Sequence, residues 1–131
     1  MSKTITQTIT FKNSTPEILY GIYTDSKKHS AATGGKAVIK NKIGTKFSSW
    51  DGYITGVNLH LVAGKTIIQT WRSADFKSID TDSILILNFS TKGNDTVVEM
   101  IHANVPDKQA AGLKKGWNDF YWKPWEKYLN S

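Results

Sequence analysis

Val105 to Leu129, VPDKQAAGLKKGWNDFYWKPWEKYL, is the stretch that decides the fold, because it holds three of the five Trp residues and the only long helical period. Pro106 and Asp107 are typical of a first helical turn, and Pro124 predicts a kink near the end. At about 1.5 Å per residue the helix spans roughly 35 Å, so only a sheet of several strands can cover its apolar face. That face is predicted to collect Ala110, Leu113, Trp117, Phe120, Tyr121, Pro124 and Tyr128.

The C-terminal end of this helix carries apolar side chains outside the main face. Trp122 and Leu129 point away from that face and Trp125 lies at its margin, while two lysines lie beside it. The pattern therefore predicts an apolar patch with a basic rim that a partner protein could bind. The residues of this predicted patch are Lys114, Lys115, Trp122 and Trp125.

Length and composition predict one domain that spans residues 1–131 and folds around a single core. Hydrophobic residues make up 39% and charged residues 21% of the chain, which is typical of a globular protein. Cys is absent, which excludes disulfides, Cys-ligated zinc and thiol catalysis. The sequence shows neither a signal peptide nor an apolar run of membrane-spanning length, so we expect a cytoplasmic protein with no membrane span.

The net charge of +6 comes from 17 basic residues against 11 acidic ones, and Arg72 is the single Arg. Nucleic-acid-binding proteins rely on Arg and cluster their charge, whereas the Lys residues here are dispersed along the chain. We therefore expect a solvated basic surface and no nucleic-acid partner, although weak attraction to acidic partners stays open. For Arg72 itself a structural ion pair is expected.

The first part of the chain predicts one strand followed by two short helices. The alternation of apolar and polar residues from Thr4 to Phe11 is typical of a strand with one buried face. A helix then begins near Pro16, with either Thr15 as its N-cap or Ser14 in a capping box. A second short helix ends at Gly34.

From Lys36 to His102 the apolar pattern changes to a period of two, which predicts six further strands. They run over residues 36–42, 45–50, 53–62, 66–72, 83–90 and 96–103. Tight links such as Asp51-Gly52 join them as antiparallel hairpins, and residues 74–82 are expected to form a surface loop. In the third of these strands the residues expected to share one face, opposite Asn58 and His60, are Tyr53, Val57, Leu59 and Leu61.

This order of elements predicts an α+β fold of the helix-grip type. Its parts are a curved antiparallel sheet of about seven strands, two short helices after the first strand, and a long C-terminal helix packed in the concave face of the sheet. A straight helix leaves space above a curved sheet, so a pocket between the two is expected.

Four segments of the chain resemble one known family, in the same order and over nearly the whole length. They are STPEILY at Ser14–Tyr20, GTKFSSWDG at Gly44–Gly52, LVAGKTIIQTWR at Leu61–Arg72 and GWNDFYW at Gly116–Trp122. With these motifs the chain is similar to the steroidogenic-acute-regulatory-protein-related lipid-transfer superfamily (START-like, SRPBCC). Within it, the chain resembles the C-terminal domain of the activators of heat-shock protein 90 ATPase.

The resemblance implies the helix-grip fold and leaves several functions open. In the eukaryotic co-chaperone this domain follows an N-terminal domain that carries the main chaperone contact, and that domain has no counterpart in these 131 residues. Relatives in the wider superfamily bind lipids, hormones or polyketides, sometimes with catalysis. We therefore expect a stand-alone, non-enzymatic binding domain that is a monomer or a weak dimer.

Candidate catalytic and metal-binding residues are few. His29, His60 and His102 lie far apart in the sequence and none has the spacing of a metal-binding pair. His102 is expected to be a hydrogen-bonded structural or surface residue, or to face the cavity, and Asp80 and Asp82 are expected in a surface loop. No nucleophile elbow, phosphate-binding glycine loop or Cys nucleophile is present. We therefore expect no catalytic residue, no metal site and no cofactor.

Aromatic residues are the stronger functional signal, because Trp and Tyr combine an apolar ring with a polar N–H or O–H group. The residues expected to line a cavity between the sheet and the helix are Trp50, Tyr53, Trp71, Phe89, Met100, His102, Trp117 and Tyr121. The main hypothesis is that this cavity binds a small hydrophobic ligand. One alternative is a co-chaperone-like protein that binds heat-shock protein 90 through the predicted patch, and a second is an enzyme that acts on a hydrophobic substrate.

Overall fold

The computed structural model describes residues 2–130, which form six strands and a set of helices at both ends of the chain. The strands are β1 (Ser2–Phe11), β2 (Lys46–Ser49), β3 (Ile54–Val62), β4 (Thr66–Ser73), β5 (Ser83–Lys92) and β6 (Asp95–Pro106). The helices are α1 (Pro16–Thr24), α2 (Ser26–Thr33), α3 (Asp107–Trp117) and α4 (Lys123–Leu129), and a π-helical turn, Asn118–Trp122, joins α3 to α4. We call Asn118–Trp122 the π turn.

The strands form one antiparallel sheet in the order β1-β6-β5-β4-β3-β2. The first strand, β1, pairs with the last, β6, and forms one edge of the sheet. Helices α1 and α2 lie in the connection from β1 to β2 at the opposite edge. The three C-terminal helical segments follow β6 and cover the inward face. The α+β helix-grip architecture predicted from the sequence is therefore confirmed.

The sheet has six strands, so the prediction of about seven is wrong for residues 36–42. In that segment a single bridge joins Val38 to Ser48. The reason is that two serine hydroxyls of α2 form hydrogen bonds with backbone N–H groups of this segment. Those groups are then not available to a neighbouring strand. Ser26 Oγ accepts from Ile39 N–H at 2.9 Å, and Ser30 Oγ accepts from Ala37 N–H at 2.9 Å.

The two short helices begin as their caps predict, and the structure decides between the alternatives for the first. Thr15 Oγ1 accepts from Ile18 N–H at 3.3 Å and is the N-cap of α1, whereas the Ser14 hydroxyl donates to Phe11 O. Helix α2 ends at Thr33 and is capped by Gly34, whose φ of 85° is readily available to glycine.

One face of β3 differs from the prediction. Asn58 is fully buried, while Leu59 is 45% exposed. Ile54 and Asn58 share the inward face before the shift in the pairing of β3 with β4, which lies between Asn58 and His60. After this bulge the alternation reverses, and Leu61 packs against the core. Asn58 is tolerated inside because Gln69 Nε2 donates to its Oδ1 at 2.7 Å and Tyr23 O–H donates to Gln69 Oε1 at 2.9 Å.

The π turn corrects the predicted faces of the C-terminal helix. Trp122 and Trp125, expected outside the main face, are 3% and 0% exposed, and Phe120, expected on it, is 55% exposed. In the π turn Lys123 N–H donates to Asn118 O, five residues back. This wider turn contains one extra residue, which rotates everything after it by about 100° relative to a regular α-helix.

The core lies between the inward face of the sheet and these helices. Alternate residues of the central strands, such as Ile67, Leu85, Leu87 and Val98, are fully buried. The C-terminal helical segments add Trp117. Within residues 2–130, no helix is both long enough and apolar enough to cross a membrane.

Candidate ligand-binding groove

A groove of about 560 Å³ lies between the inward face of the sheet and the first half of the C-terminal helical segments. Its sides come from α3 and the π turn, from the turn between β2 and β3, and from the end of β4 with the loop that follows. It is lined by Trp50, Tyr53, Ile54, Trp71, Ser73, Asp75, Lys108, Gln109, Gly112, Leu113, Gly116, Trp117, Phe120 and Tyr121.

The floor of the groove consists of two buried indoles. Trp71 points inward from β4 and Trp117 is the last residue of α3, and both are 2% exposed. Their ring centroids lie 6.0 Å apart. Ile54 and Leu113 add aliphatic surface beside them.

A chain of hydrogen bonds beneath the floor connects the Trp117 indole to the backbone of β4 through His102. Trp117 Nε1–H donates to His102 Nδ1 at 3.1 Å, and because an indole N–H is only a donor, Nδ1 must carry no proton. His102 Nε2–H then donates to Ser83 Oγ at 2.8 Å, and the Ser83 hydroxyl donates to Trp71 O at 2.6 Å. This chain fixes the tautomer of His102 and the position of Trp117 against β4.

Burial keeps the imidazole of His102 neutral. It lowers the pKa of His102 to about 3, because the charged form loses its hydration inside the core. His29 behaves similarly: burial lowers its pKa, and its hydrogen bond with Tyr23 O opposes that shift. Neither histidine is therefore protonated at neutral pH.

One wall of the groove is helix surface with little side chain on it. Two successive i, i+4 rows of the helix face the groove, one with Gly112 and Gly116 and the other with Leu113 and Trp117. A Cβ atom at Gly112 would meet no atom within 4 Å. The backbone of α3 is therefore open to whatever occupies the groove.

The outer rim of the groove exposes two aromatic rings. Tyr53 is 44% and Phe120 is 55% exposed. Trp50 supports this rim, with ring centroids 5.6 Å from Phe120 and 6.4 Å from Tyr121. Trp50 has a φ of 52°, which costs backbone energy for a residue of its size. It also packs against Gly35, where a Cβ atom would lie 2.3 Å from the ring.

The end of the groove next to Tyr53 is polar. The Tyr53 hydroxyl donates to the Asp75 carboxylate, and this hydrogen bond raises the pKa of Tyr53. Asp75 N–H donates to Ser73 Oγ at 3.1 Å, and Gln109 Nε2 donates to Asp75 O at 3.1 Å. Lys108 adds an exposed ammonium group. One end of the groove therefore offers both donors and acceptors.

The structure brings together five of the eight residues predicted to line a cavity, namely Trp50, Tyr53, Trp71, Trp117 and Tyr121. His102 lies one layer below them. Phe89 and Met100 are core residues outside the groove, and Phe89 packs on Tyr20 with ring centroids 6.0 Å apart. Alternation along β5 and β6 correctly predicts that these side chains face inward, but it carries no information about how far along the strand the groove extends.

Sequence reasoning missed the polar end and the helix wall. The available signal was the spacing of the helix, because Lys108, Gly112, Gly116 and Phe120 follow one another at i, i+4. The prediction relied instead on the aromatic residues of the neighbouring i, i+4 row, Trp117 and Tyr121, which face the core. Ser73 ends β4 and Asp75 lies in the loop after it. They gave no local signal, because the helix residue that meets them, Gln109, is distant in sequence.

The predicted apolar patch with a basic rim is absent as a surface. Lys114 and Lys115 are exposed, but Trp122 and Trp125 are buried. Trp122 stacks on Trp117 with ring centroids 5.3 Å apart, and its N–H donates to Gln7 Oε1 at 2.8 Å. The two indoles therefore belong to the core, because the π turn rotates them inward.

Charged residues elsewhere have structural roles. Arg72 forms an ion pair with Asp82 at 3.3 Å and donates to the carbonyl oxygens of Asp80 and Lys77. The expected structural ion pair is therefore confirmed, and it holds the loop after β4. Across residues 2–130, no three His, Asp or Glu side chains come together in a way that could hold a metal ion.

Comparisons with known proteins agree on one family. The model of the family described as Activator of Hsp90 ATPase homolog 1-like protein matches residues 13–130. An activator of 90 kDa heat shock protein ATPase homolog from Dictyostelium discoideum is 32% identical over 119 residues, which cover 88% of this chain and 31% of that protein. Human activator of 90 kDa heat shock protein ATPase homolog 1 is 31% identical over 110 residues, which cover 82% of this chain and 32% of that protein.

This chain thus spans about a third of the length of these relatives. A solved structure of similar length is an HSP90 activator from Plasmodium falciparum. It has a TM-score of 0.85 at 26% identity, and the match covers 97% of this chain and 96% of that one.

Proposed function

We propose, given that the chain belongs to the Activator of Hsp90 ATPase homolog 1-like protein family, that it is a non-enzymatic domain that binds a small hydrophobic ligand in the groove. One observation carries the proposal: the groove of about 560 Å³ combines a floor of apolar rings with a cluster of polar groups that hydrogen bonds join around Asp75. Sites for small molecules are concave, mostly apolar and supplied with a few convergent polar groups, in volumes of about 300–1,000 Å³.

Each part of the groove has a role in this proposal. Trp71, Trp117 and Leu113 contact the apolar body of the ligand, and Ser73 and Asp75 bind its polar end. We assign no catalytic residue. Asp75 already accepts a hydrogen bond from Tyr53, and the imidazole beneath the floor is engaged at both ring nitrogens.

The test is a titration of the whole chain with a library of lipids and aromatic compounds. Binding should quench the fluorescence of Trp71 and Trp117 and raise the melting temperature, because a ligand that binds only the folded state stabilises it by mass action. Gly112→Leu should block the groove and abolish both effects. Ala111→Leu adds the same side chain at an exposed neighbour and should retain them. Absence of quenching and of any melting shift across the library would refute the proposal.

A second candidate function is binding to heat-shock protein 90 with stimulation of its ATPase. It is supported by the names of the relatives and by the exposed rings of Tyr53 and Phe120 at the rim of the groove. Exposed aromatic residues are enriched in protein interfaces. Lys114 and Lys115 would attract an acidic surface to the same helix.

Calorimetric titration against the host's own heat-shock protein 90 tests this candidate. Phe120→Ala should weaken binding by about tenfold or more, as expected for an interface anchor, and binding should weaken with salt. Ile79→Ala is the matched control, because Ile79 is 86% exposed and does not line the groove. Equal effects of the two variants, or no binding at low salt, would exclude this function. A cytoplasmic location, the lack of a nucleic-acid partner and a monomeric or weakly dimeric state stay predictions.

A further inference from the structure

We infer that the groove selects planar aromatic molecules of two or three fused rings with an oxygen substituent, in preference to flexible acyl chains. This inference rests on the proposed function and specifies its ligand class. It is drawn from the ring side chains of the lining, the bare helix wall and the polar groups beside them.

The lining of the groove is aromatic rather than aliphatic. Of its fourteen side chains and glycines, six are rings of Trp, Tyr or Phe, and only Ile54 and Leu113 are branched aliphatic residues. Aromatic rings gain from offset-stacked and edge-to-face contacts with other rings, beyond the burial of apolar area. A flexible acyl chain gains burial alone and loses the freedom of many rotatable bonds on binding.

The helix wall favours a flat molecule. Gly112 and Gly116 weaken α3 relative to Ala, yet packing does not require them. A Cβ atom at Gly112 would meet nothing within 4 Å, and one at Gly116 would meet only the Phe120 ring, at an ordinary 3.6 Å. Neither has a positive φ. The missing side chains leave the backbone bare, so a planar ring can lie closer to the helix than any side chain would allow.

The polar groups of the lining indicate the oxygen substituent. The Ser73 hydroxyl and the Asp75 carboxylate both line the groove. The carboxylate accepts from the Tyr53 hydroxyl and has further lone pairs, and the Ser73 oxygen accepts from Asp75 N–H while its own hydrogen can still be donated. A hydroxyl on the ligand would donate to Asp75 and accept from Ser73.

The size of the groove limits the ligand. At about 30 Å³ for each water-sized group, a volume of about 560 Å³ accommodates on the order of 18 non-hydrogen atoms. Two or three fused six-membered rings with oxygen substituents fit within that limit. Larger ring systems would extend past Tyr53 and Phe120 into solvent.

The probes are 2-naphthol, naphthalene, decahydro-2-naphthol and laurate, each titrated against the whole chain by Trp fluorescence and calorimetry. 2-Naphthol should bind about tenfold or more tightly than decahydro-2-naphthol, which has the same carbon skeleton and hydroxyl but no flat ring. It should also bind more tightly than laurate. Asp75→Ala should reduce the preference for 2-naphthol over naphthalene, because it removes the acceptor for the ligand hydroxyl.

Gly112→Ala is the matched test of the helix wall. It should raise the melting temperature and yet lower the affinity for 2-naphthol by about tenfold. Gly21→Ala in α1 is the control, since its Cβ atom would meet only Lys28 Nζ, at 3.9 Å. It should raise the melting temperature with unchanged affinity.

The outcomes separate this inference from the function on which it rests. Equal or tighter binding of laurate or decahydro-2-naphthol would overturn the inference and leave ligand binding in place. Unchanged affinity in Gly112→Ala would overturn the role of the helix wall. Failure of every probe and of the wider library would overturn the inference and the proposed function together.

Discussion

Acidification should destabilise the fold through the histidine beneath the groove. Burial lowers the pKa of His102 to about 3 in the folded state, against about 6.5 in an unfolded chain. Between these values the unfolded state binds more protons, so stability is lost as the pH falls from 6.5 toward 3. From pH 7.5 to 4.5, linkage gives a loss of about 2–3 kcal/mol from His102 alone, and the lowered pKa of His29 adds to it in the same direction.

The assay is urea unfolding of the wild type and two variants at both pH values. His102→Asn keeps an acceptor for the Trp117 N–H and removes the titrating ring, so its loss on acidification should be smaller by about 2–3 kcal/mol. It should be less stable than the wild type at pH 7.5, because the hydrogen bond to Ser83 disappears. The exposed His60, changed to Asn, is the control and should follow the wild type. Equal losses in wild type and His102→Asn would refute the reasoning.

The remaining predictions concern the anchoring of the C-terminal helical segments. Trp117→Ala should cost on the order of 3–5 kcal/mol in urea unfolding, because it empties the floor of the groove and orphans His102 Nδ1; an unchanged midpoint would contradict the docking described here. Gln7→Ala should cost about 1–3 kcal/mol, since Gln7 accepts from Trp122 and donates to Lys114 O. The neighbouring exposed Thr8, changed to Ala, should cost less than about 0.5 kcal/mol, and similar losses in both would show that this bridge contributes nothing.

Most of the fold could be predicted because its signals are local. A cap, a turn or an alternation of apolar residues is decided within a few positions, as Thr15 before α1 and Gly34 after α2 illustrate. The order of such elements then leaves few ways to cover a long amphipathic helix. Errors occurred where a distant side chain decided the outcome. The hydroxyls of Ser26 and Ser30 took the backbone groups of residues 36–42, and no local pattern shows that competition.

The candidate site was harder to predict because a groove depends on positions that lack a side chain as well as on the side chains that line it. A pattern of apolar residues predicts which side chains face inward, and it did so for Trp71 and Trp117. It also placed Phe89 and Met100 in the same layer, since burial alone does not distinguish a filled part of the core from an empty one. The informative residues were Gly112 and Gly116, which a search for apolar side chains passes over.

The π turn explains both the failure of the predicted patch and the shape of the groove. In an unbroken α-helix Phe120 would pack inward and Trp122 outward, whereas the wider turn moves Phe120 to the rim and brings Trp122 against Trp117. Pro124 lowers the cost of the π turn. Proline has no N–H, so a regular α-helix would also have lacked the hydrogen bond from residue 124 to the carbonyl oxygen of Phe120. Asn118 N–H donates to Lys115 O, three residues back. The Lys114 carbonyl oxygen therefore has no helical donor from Asn118 and accepts from Gln7 Nε2. The turn therefore places indoles in the core on one side of the helix and leaves the aromatic rim of the groove on the other.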